Sequence, residues 1–146
     1  MTKLHVLEAL AEKCRVGLAT LADQRDSMFA GFPTATCGNA AEIVGRILKE
    51  QAGYDGQYVE GNGHPNLKPG QSHAWYEVGD YIIDITYDQF EGTGLTGWVF
   101  HRGHDWHAEF ADISYTPGFN TPRTWKSYPY DGYEAVMLEL QTRPAT

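Results

Sequence analysis

The chain is poor in cysteine, in basic residues and in long apolar runs, and each shortage excludes a class of protein. Two cysteines in 146 residues cannot form the disulfide framework of a small secreted domain, so we expect both to be reduced. Eleven Lys and Arg against 19 Asp and Glu give a net charge of −8, which predicts no nucleic-acid partner and no docking on anionic lipid. No apolar run reaches the length of about 18 residues that a membrane-spanning helix needs. The N-terminal MTKLHVLEALAEKCRVG lacks the apolar stretch of a secretory signal, so we expect a cytoplasmic location, with export as an effector left open.

The length and composition favour one globular domain. At 146 residues, 42% of them hydrophobic, the chain is long enough to bury a real core. Aromatic residues make up 13%, which suits either a core or an aromatic-walled cleft. No repeat or low-complexity tract marks a boundary, so we expect a single domain over residues 1–146.

Two helices are predicted in the first third of the chain. Over residues 3–22 the apolar side chains recur at steps of three and four, which is one face of a helix. That face consists of Leu4, Leu7, Ala11, Cys14, Leu18 and Leu21. We therefore expect Cys14 to be buried. After a loop, CGNAAEIVGRILKEQ predicts a second helix that begins at Cys37, with Thr34 or Thr36 as its cap and Gly53 as its stop.

Beyond Gly53 the apolar period changes to two, which predicts strands. QYVEG, HAWYEV and YIIDIT read as strands, with a hairpin turn at Gly79-Asp80 between the last two. Residues 61–72 predict a polar loop over the site, residues 91–132 show little periodicity, and YEAVMLELQ favours a final strand. The expected fold is α+β, with N-terminal helices packed on an antiparallel β-sheet.

The hairpin raises the question of why Asp84 lies within an apolar run, where an unpaired charge is costly. If Val78 and Tyr81 flank the turn, paired positions sum to 159, and Trp75 then lies opposite Asp84. His73 shares that face and stands diagonal to Asp84, with Cβ atoms about 7–8 Å apart. The register therefore predicts that the Asp84 carboxylate bonds one nitrogen of the His73 ring.

Cys37 completes a set of residues suited to nucleophilic catalysis. At a helix start, unsatisfied N–H groups and the helix dipole favour an anion such as a thiolate. A thiol, an imidazole and a carboxylate that orients the imidazole are the parts of a cysteine acyl-transfer site. We therefore predict Cys37 as nucleophile, His73 as base and Asp84 as the residue that orients the base, with the Cys37 N–H helping to hold an oxyanion.

The same ordered set resembles a known family. Cysteine at a helix start, then ILKEQAGYDGQYVEG, HAWYEV and an aspartate in the next strand are similar to the transglutaminase-like branch of the papain-like cysteine enzymes. The resemblance covers residues 34–88 and implies a papain-like core with Cys37, His73 and Asp84 in the catalytic positions. By analogy with the upstream glutamine of papain-like enzymes, Gln24 is a candidate oxyanion donor. Trp75 is a candidate cleft wall or core residue.

The predicted activity is thiol acyl transfer on an amide bond of a peptide, a protein or a small amide, with no cofactor and no metal. Transfer to water makes the protein a peptidase, amidase or deamidase, which we favour, and transfer to an amine makes it an acyltransferase or transglutaminase. A papain-like module that only binds a partner is the non-enzymatic alternative.

A histidine-rich segment offers a different chemistry. FHRGHDWHAEF sets His101, His104 and His107 three residues apart with Asp105 among them, and His with Asp is a metal-ligand combination. The segment has no HExxH pattern, so we favour an exposed or substrate-rim loop over a metal hydrolase site. His64, in the polar loop, is expected to be solvated.

Overall fold

The structure is a computed structural model that describes residues 2–103, 106–119 and 128–141. Its helices are α1 (Lys3–Ala19), α2 (Cys37–Ala52) and α3 (Tyr130–Leu140). Its strands are β1 (Gln57–Asn62), β2 (Ser72–Val78), β3 (Tyr81–Ile83), β4 (Val99–His101) and β5 (Asp112–Pro117). Short 3₁₀ helices lie at Tyr87–Gln89 and Trp106–Glu109. The five strands form one antiparallel sheet in the order β4-β3-β2-β1-β5.

The first helix forms where the apolar stripe predicted it, but it is shorter than expected. The Thr2 hydroxyl accepts a hydrogen bond from the His5 N–H and caps its start. α1 ends at Ala19, and the chain continues in turns through Ala22, so the prediction of helix to residue 22 was three residues too long. Cys14 is fully buried, as predicted.

The second helix begins at Cys37 and ends before Gly53, as predicted. Gly53 adopts the left-handed conformation, φ 72°, that glycine reaches without strain. Thr36 occupies the N-cap position, yet its hydroxyl donates to the Pro33 carbonyl instead of capping the helix. Gly45 lies against the Tyr76 ring, where an added Cβ would come within 2.5 Å of a ring carbon. The lack of a side chain at Gly45 therefore lets α2 pack closely on β2.

The hairpin has the predicted register. Val78 lies opposite Tyr81 and Tyr76 opposite Ile83, so paired positions sum to 159. β3 ends at Ile83, earlier than the predicted strand over residues 81–86, and the Asp84 N–H bonds the Trp98 carbonyl instead of β2. Asp84 thus follows directly after the end of the strand.

The sheet has a core on each face. Alternate residues of β2, such as Tyr76 and Val78, enter the larger core beneath the three helices. On the other face Trp75 joins Val59, Ile82, Trp106 and Phe110 in a smaller cluster, which we call the aromatic core. This arrangement is the α+β fold with helices on an antiparallel sheet that the sequence predicted. Among the described residues, no helix combines the length and apolarity that crossing a membrane requires.

The prediction of a final strand over YEAVMLELQ was wrong, because this segment belongs to α3. Its apolar residues fall at helical spacing: Tyr133, Val136, Met137 and Leu140 all pack into the larger core. α3 packs on α1, where Gly17 allows the close approach. Residues 91–132, which the sequence left unassigned, supply β4, the second 3₁₀ helix and β5.

Candidate functional site

A buried hydrogen bond joins His73 and Asp84, as the hairpin register predicted. Nε2 of His73 lies 2.7 Å from Oδ2 of Asp84, and both side chains are fully buried. The backbone N–H and the hydroxyl of Thr86 donate to the other carboxylate oxygen, at 3.0 and 3.4 Å. The carboxylate is therefore held at both oxygens, which removes the cost of burying a lone charge.

His73 and Asp84 each stabilise the charged form of the other. Burial by itself lowers the pKa of His73, but the charge and hydrogen bond of Asp84, with a smaller effect of the Cys37 thiol, raise it to about 9. Burial likewise raises the pKa of Asp84, but His73 and the hydrogen bonds at its oxygens outweigh burial and hold that pKa well below its usual range. At neutral pH the pair is therefore an imidazolium beside a carboxylate.

Cys37 lies close to the His73 ring. Nδ1 of His73 is buried and has no hydrogen-bond partner among the described residues. The thiol is nevertheless close enough to be one of the groups that raise the His73 pKa. The two therefore lie close together without a well-aligned hydrogen bond. Cys37 is partly exposed and is not in a disulfide. The structure thus brings all three predicted residues together, with Cys37 partly exposed.

Gln89 forms hydrogen bonds to both segments that carry the site, the loop before α2 and the turn after Asp84. Its side-chain oxygen accepts a hydrogen bond from the Ala35 N–H, and its amide nitrogen donates to the Thr86 carbonyl. Ala35 has φ 60°, a conformation that non-glycine residues rarely adopt, and it turns the chain into α2. Ala35 lies two residues before Cys37 and Thr86 two residues after Asp84, so Gln89 helps to fix the distance between Cys37 and Asp84.

Tyr58 is a site residue that sequence reasoning missed. Burial, followed by the charge of Cys37, raises the pKa of Tyr58 to about 12. Its hydroxyl lies near the start of α2, since a Cβ added to Gly38 would be 3.1 Å from it. The alternation along β1 could have placed Tyr58 on the helix-side face with Tyr76, its partner in β2. Nothing in the sequence indicated its distance from Cys37.

The other two side chains named from the sequence lie in different places: Gln24 in an exposed turn, and Trp75 beside His73, with 5.8 Å between their ring centroids. Gln24 is exposed in the turns between α1 and α2, and its backbone bonds Leu21 and Ser27 within those turns. Trp75 is buried in the aromatic core, and its indole N–H donates to Glu77 at 2.8 Å. It also forms one wall of a cavity of about 370 Å³ on that face of the sheet. Gln24 is thus held by bonds within its own turns, and Trp75 supports the face of the sheet that carries His73.

The histidine-rich segment does not form the predicted exposed loop at His107. That residue is 2% exposed, and its Nε2 lies 2.7 Å from the same Asp84 oxygen that His73 bonds. His101 lies on the exposed side of β4 and pairs with Tyr81, and His104 and Asp105 fall outside the described residues. The expectation of an exposed or rim position was wrong for His107 because Trp106 and Phe110 anchor the segment in the aromatic core.

His64 is also buried, contrary to the expectation of a solvated residue. The residue is 4% exposed, and its ring packs on Trp106 and Phe110. Nδ1 accepts a hydrogen bond from the Asn66 N–H, so the other nitrogen donates to the Trp106 carbonyl at 2.9 Å. His64 therefore pins the polar loop onto the aromatic core.

His73, Asp84 and His107 also form a set of potential metal donors, with their ligand atoms within 4.8 Å of one another. A histidine that binds a metal almost always donates its other ring N–H to a neighbouring group. Nδ1 of His73 and of His107 are both buried and without a hydrogen-bond partner among the described residues. The 2.7 Å separations are ordinary hydrogen-bond lengths. The set therefore fits a hydrogen-bonded network better than a metal centre.

Comparisons of the chain with protein-family models, with curated proteins and with solved structures found no match.

Proposed function

We propose that the protein is a thiol acyl-transfer enzyme that acts on amide bonds through Cys37, His73 and Asp84. One observation carries the proposal: the buried bond between His73 and Asp84 leaves the second ring nitrogen of His73 without a hydrogen-bond partner among the described residues, and the partly exposed Cys37 lies close to the same ring. This is the geometric relation of a nucleophile, a base and the group that orients the base.

The first half of the reaction forms an acyl-enzyme. In the reactive form the proton of the Cys37 thiol already resides on Nδ1 of His73, as a thiolate beside an imidazolium, and the thiolate forms a C–S bond with the amide carbonyl carbon. The imidazolium, stabilised by Asp84, then gives that proton to the amide nitrogen as the C–N bond breaks. The amine leaves and a thioester remains on the sulfur. With its raised pKa, His73 is protonated at neutral pH and can serve as this acid.

The second half releases the acyl group. His73, now neutral, takes a proton from water while the water oxygen bonds the thioester carbon. The C–S bond breaks, the carboxylic acid leaves, and the Cys37 thiolate again lies beside the His73 imidazolium. An amine in place of water would make the protein an acyltransferase. We favour water, because among the described residues of this small chain no site for a second substrate is evident beside Cys37.

Two groups are placed to bind the developing oxyanion. The start of α2 has no side-chain cap, so its first N–H groups remain available to an anion beside the sulfur. The Tyr58 hydroxyl lies next to Gly38, in the first turn of this helix. In this proposal Tyr58, not Gln24, is the side-chain donor.

We also propose that the protein is related to the transglutaminase-like branch of the papain-like enzymes. A cysteine at the start of α2, a histidine on β2 and an aspartate after β3 support this relation. Substrates of this class would be peptides, proteins or small amides, and the acidic chain would work in the cytoplasm or as an exported effector. A binding module without activity is the alternative.

Covalent labelling tests the proposal directly. A peptide electrophile or iodoacetamide at pH 6 is expected to add one label at Cys37, detected by intact mass and located by peptide mapping. Labelling should be lost in Cys37→Ala and slowed in His73→Ala. Cys14→Ala serves as the matched control, because Cys14 is fully buried and its pKa is raised to about 12 by burial.

Turnover then separates the alternatives. Incubation with peptide libraries or cell extracts is expected to give an acyl adduct on Cys37 that decays to a free acid in water. Decay only when an amine is added would indicate a transferase. Turnover that survives Cys37→Ala, or that a chelator abolishes, would refute the thiol mechanism.

A further inference from the structure

His107 makes a contact that the mechanism above does not use. Its Nε2 lies 2.7 Å from Oδ2 of Asp84, the same oxygen that bonds His73 at 2.7 Å. The two histidines come from different parts of the fold: His73 from β2, and His107 from the 3₁₀ helix that follows β4. One carboxylate oxygen is therefore shared between two buried imidazoles.

We propose that His107 is a positioning residue of the candidate site, which holds Asp84 toward His73 and tempers the attraction of the carboxylate for the His73 proton. This inference rests on the proposed function for its catalytic meaning, but the network itself can be tested without substrate. In this role His107 acts through Asp84, the residue to which it is hydrogen-bonded.

The chemistry of the carboxylate determines which ring nitrogen of each histidine carries hydrogen. An ionised carboxylate only accepts hydrogen bonds, so both Nε2 atoms must be N–H donors. The hydrogen bond from His107 is one of the contacts that hold the pKa of Asp84 low. Because Oδ2 divides its negative charge between two donors, each donor receives a weaker bond than it would alone. Removal of His107 should therefore strengthen the bond to His73.

The surroundings of His107 make it a rigid support. Its ring packs against Trp75 at 4.8 Å, Trp106 at 5.3 Å and Phe100 at 5.5 Å between ring centroids. The aromatic core thus fixes the angle at which the imidazole meets Asp84.

The other charged or titratable groups near His107 belong to the cavity that it lines with Trp75. These are Glu77, Arg102 and Tyr115. Arg102 and Glu77 form an ion pair at 2.8 Å and largely cancel each other. Cys37 approaches the network from α2 through His73, and Tyr87 from the 3₁₀ helix after β3. None of these groups is recorded as a hydrogen-bond partner of His107, so Asp84 is the contact through which a change at His107 would reach His73.

The test compares His107→Leu with His107→Gln. In glutamine the amide nitrogen is separated from Cα by the same number of covalent bonds as Nε2 in histidine, so glutamine keeps a hydrogen-bond donor. Leucine fills similar space without a donor. The readout is the pKa of His73 from NMR titration of its ring, together with the pH dependence of Cys37 alkylation by iodoacetamide.

The leucine variant should raise the His73 pKa by about 0.5–1 unit, because the carboxylate then bonds one imidazole alone. The basic limb of the alkylation profile should move with it, and His107→Gln should stay at the wild-type value. Equal shifts in both variants would indicate packing only, and no shift in a folded leucine variant would refute the inference.

A measurement on the wild-type protein covers the case in which the leucine variant does not fold. Long-range ¹H–¹⁵N correlations at neutral pH should show His107 with hydrogen on Nε2. A proton found on Nδ1 alone would overturn the proposal. Neither readout needs turnover, so a protein without amidase activity can still confirm or refute the role of His107.

Discussion

Replacement of Asp84 by asparagine is the sharpest test of the site. The two side chains have nearly the same shape, so the substitution removes the charge and leaves the volume. The two Thr86 donors can hold the amide oxygen where they now hold Oδ1. The amide nitrogen, a donor, then faces the Nε2 atoms of His73 and His107, which must both become acceptors.

The size of the effect follows from the His73 pKa. With Asp84 present the pKa is about 9, and without the carboxylate burial, the largest single influence, lowers the pKa against only the smaller effect of Cys37, which favours a value below the ordinary 6.5. A tenfold change in proton affinity corresponds to about 1.4 kcal/mol, so Asp84 stabilises the imidazolium by about 3 kcal/mol. The hydrogen also moves to Nδ1, the nitrogen that must accept the thiol proton. Both changes should suppress reaction at Cys37.

NMR titration of the His73 ring in Asp84→Asn gives the assay, and the His73→Gln spectrum assigns its signal. We expect the His73 pKa to fall below 6.5 and the rate of Cys37 alkylation at pH 7 to fall at least about tenfold. Asp55→Asn is the matched control, because Asp55 is exposed, pairs with Lys49, and follows the far end of a helix about 24 Å long. A His73 pKa that stays above about 8 in the folded Asp84→Asn variant would refute the reasoning.

Three further predictions concern stability and the oxyanion. Because His73 binds its proton more tightly in the folded protein, the free energy of unfolding should fall by about 3 kcal/mol as pH rises from 6.5 to 9. Urea titrations at several pH values measure this free energy, and a value that does not change between pH 6.5 and 9 would contradict the prediction. Cys14, with a pKa of about 12, contributes a further loss of stability only above pH 9. Tyr58→Phe should lower kcat about tenfold or more with little change in stability, and unchanged kcat would remove Tyr58 from the oxyanion site. Gly45→Ala should cost about 1–3 kcal/mol, because the new methyl group meets the buried Tyr76 ring, and a gain in thermal stability would show that the ring can move.

The sequence by itself determined the parts of the site that depend on local geometry. His73 and Asp84 are 11 residues apart across one hairpin, so the turn at Gly79 and the alternation of strand side chains were enough to predict their hydrogen bond. The start of α2 at Cys37 followed from helix periodicity and from the stop at Gly53. The last segment was predicted as a strand although its apolar residues have helical spacing, so α3 could have been predicted from the sequence.

Tertiary structure alone decided which groups surround this triad. His107 bonds Asp84 across 23 residues, through a segment whose position depends on Trp106 and Phe110 entering the aromatic core. Tyr58 reaches the start of α2 only because Gly38 leaves room for its hydroxyl. A local pattern sets which face of a strand or helix a residue occupies. The packing of helices and loops against the sheet decides which other residues that residue then contacts. No short stretch of sequence carries that information.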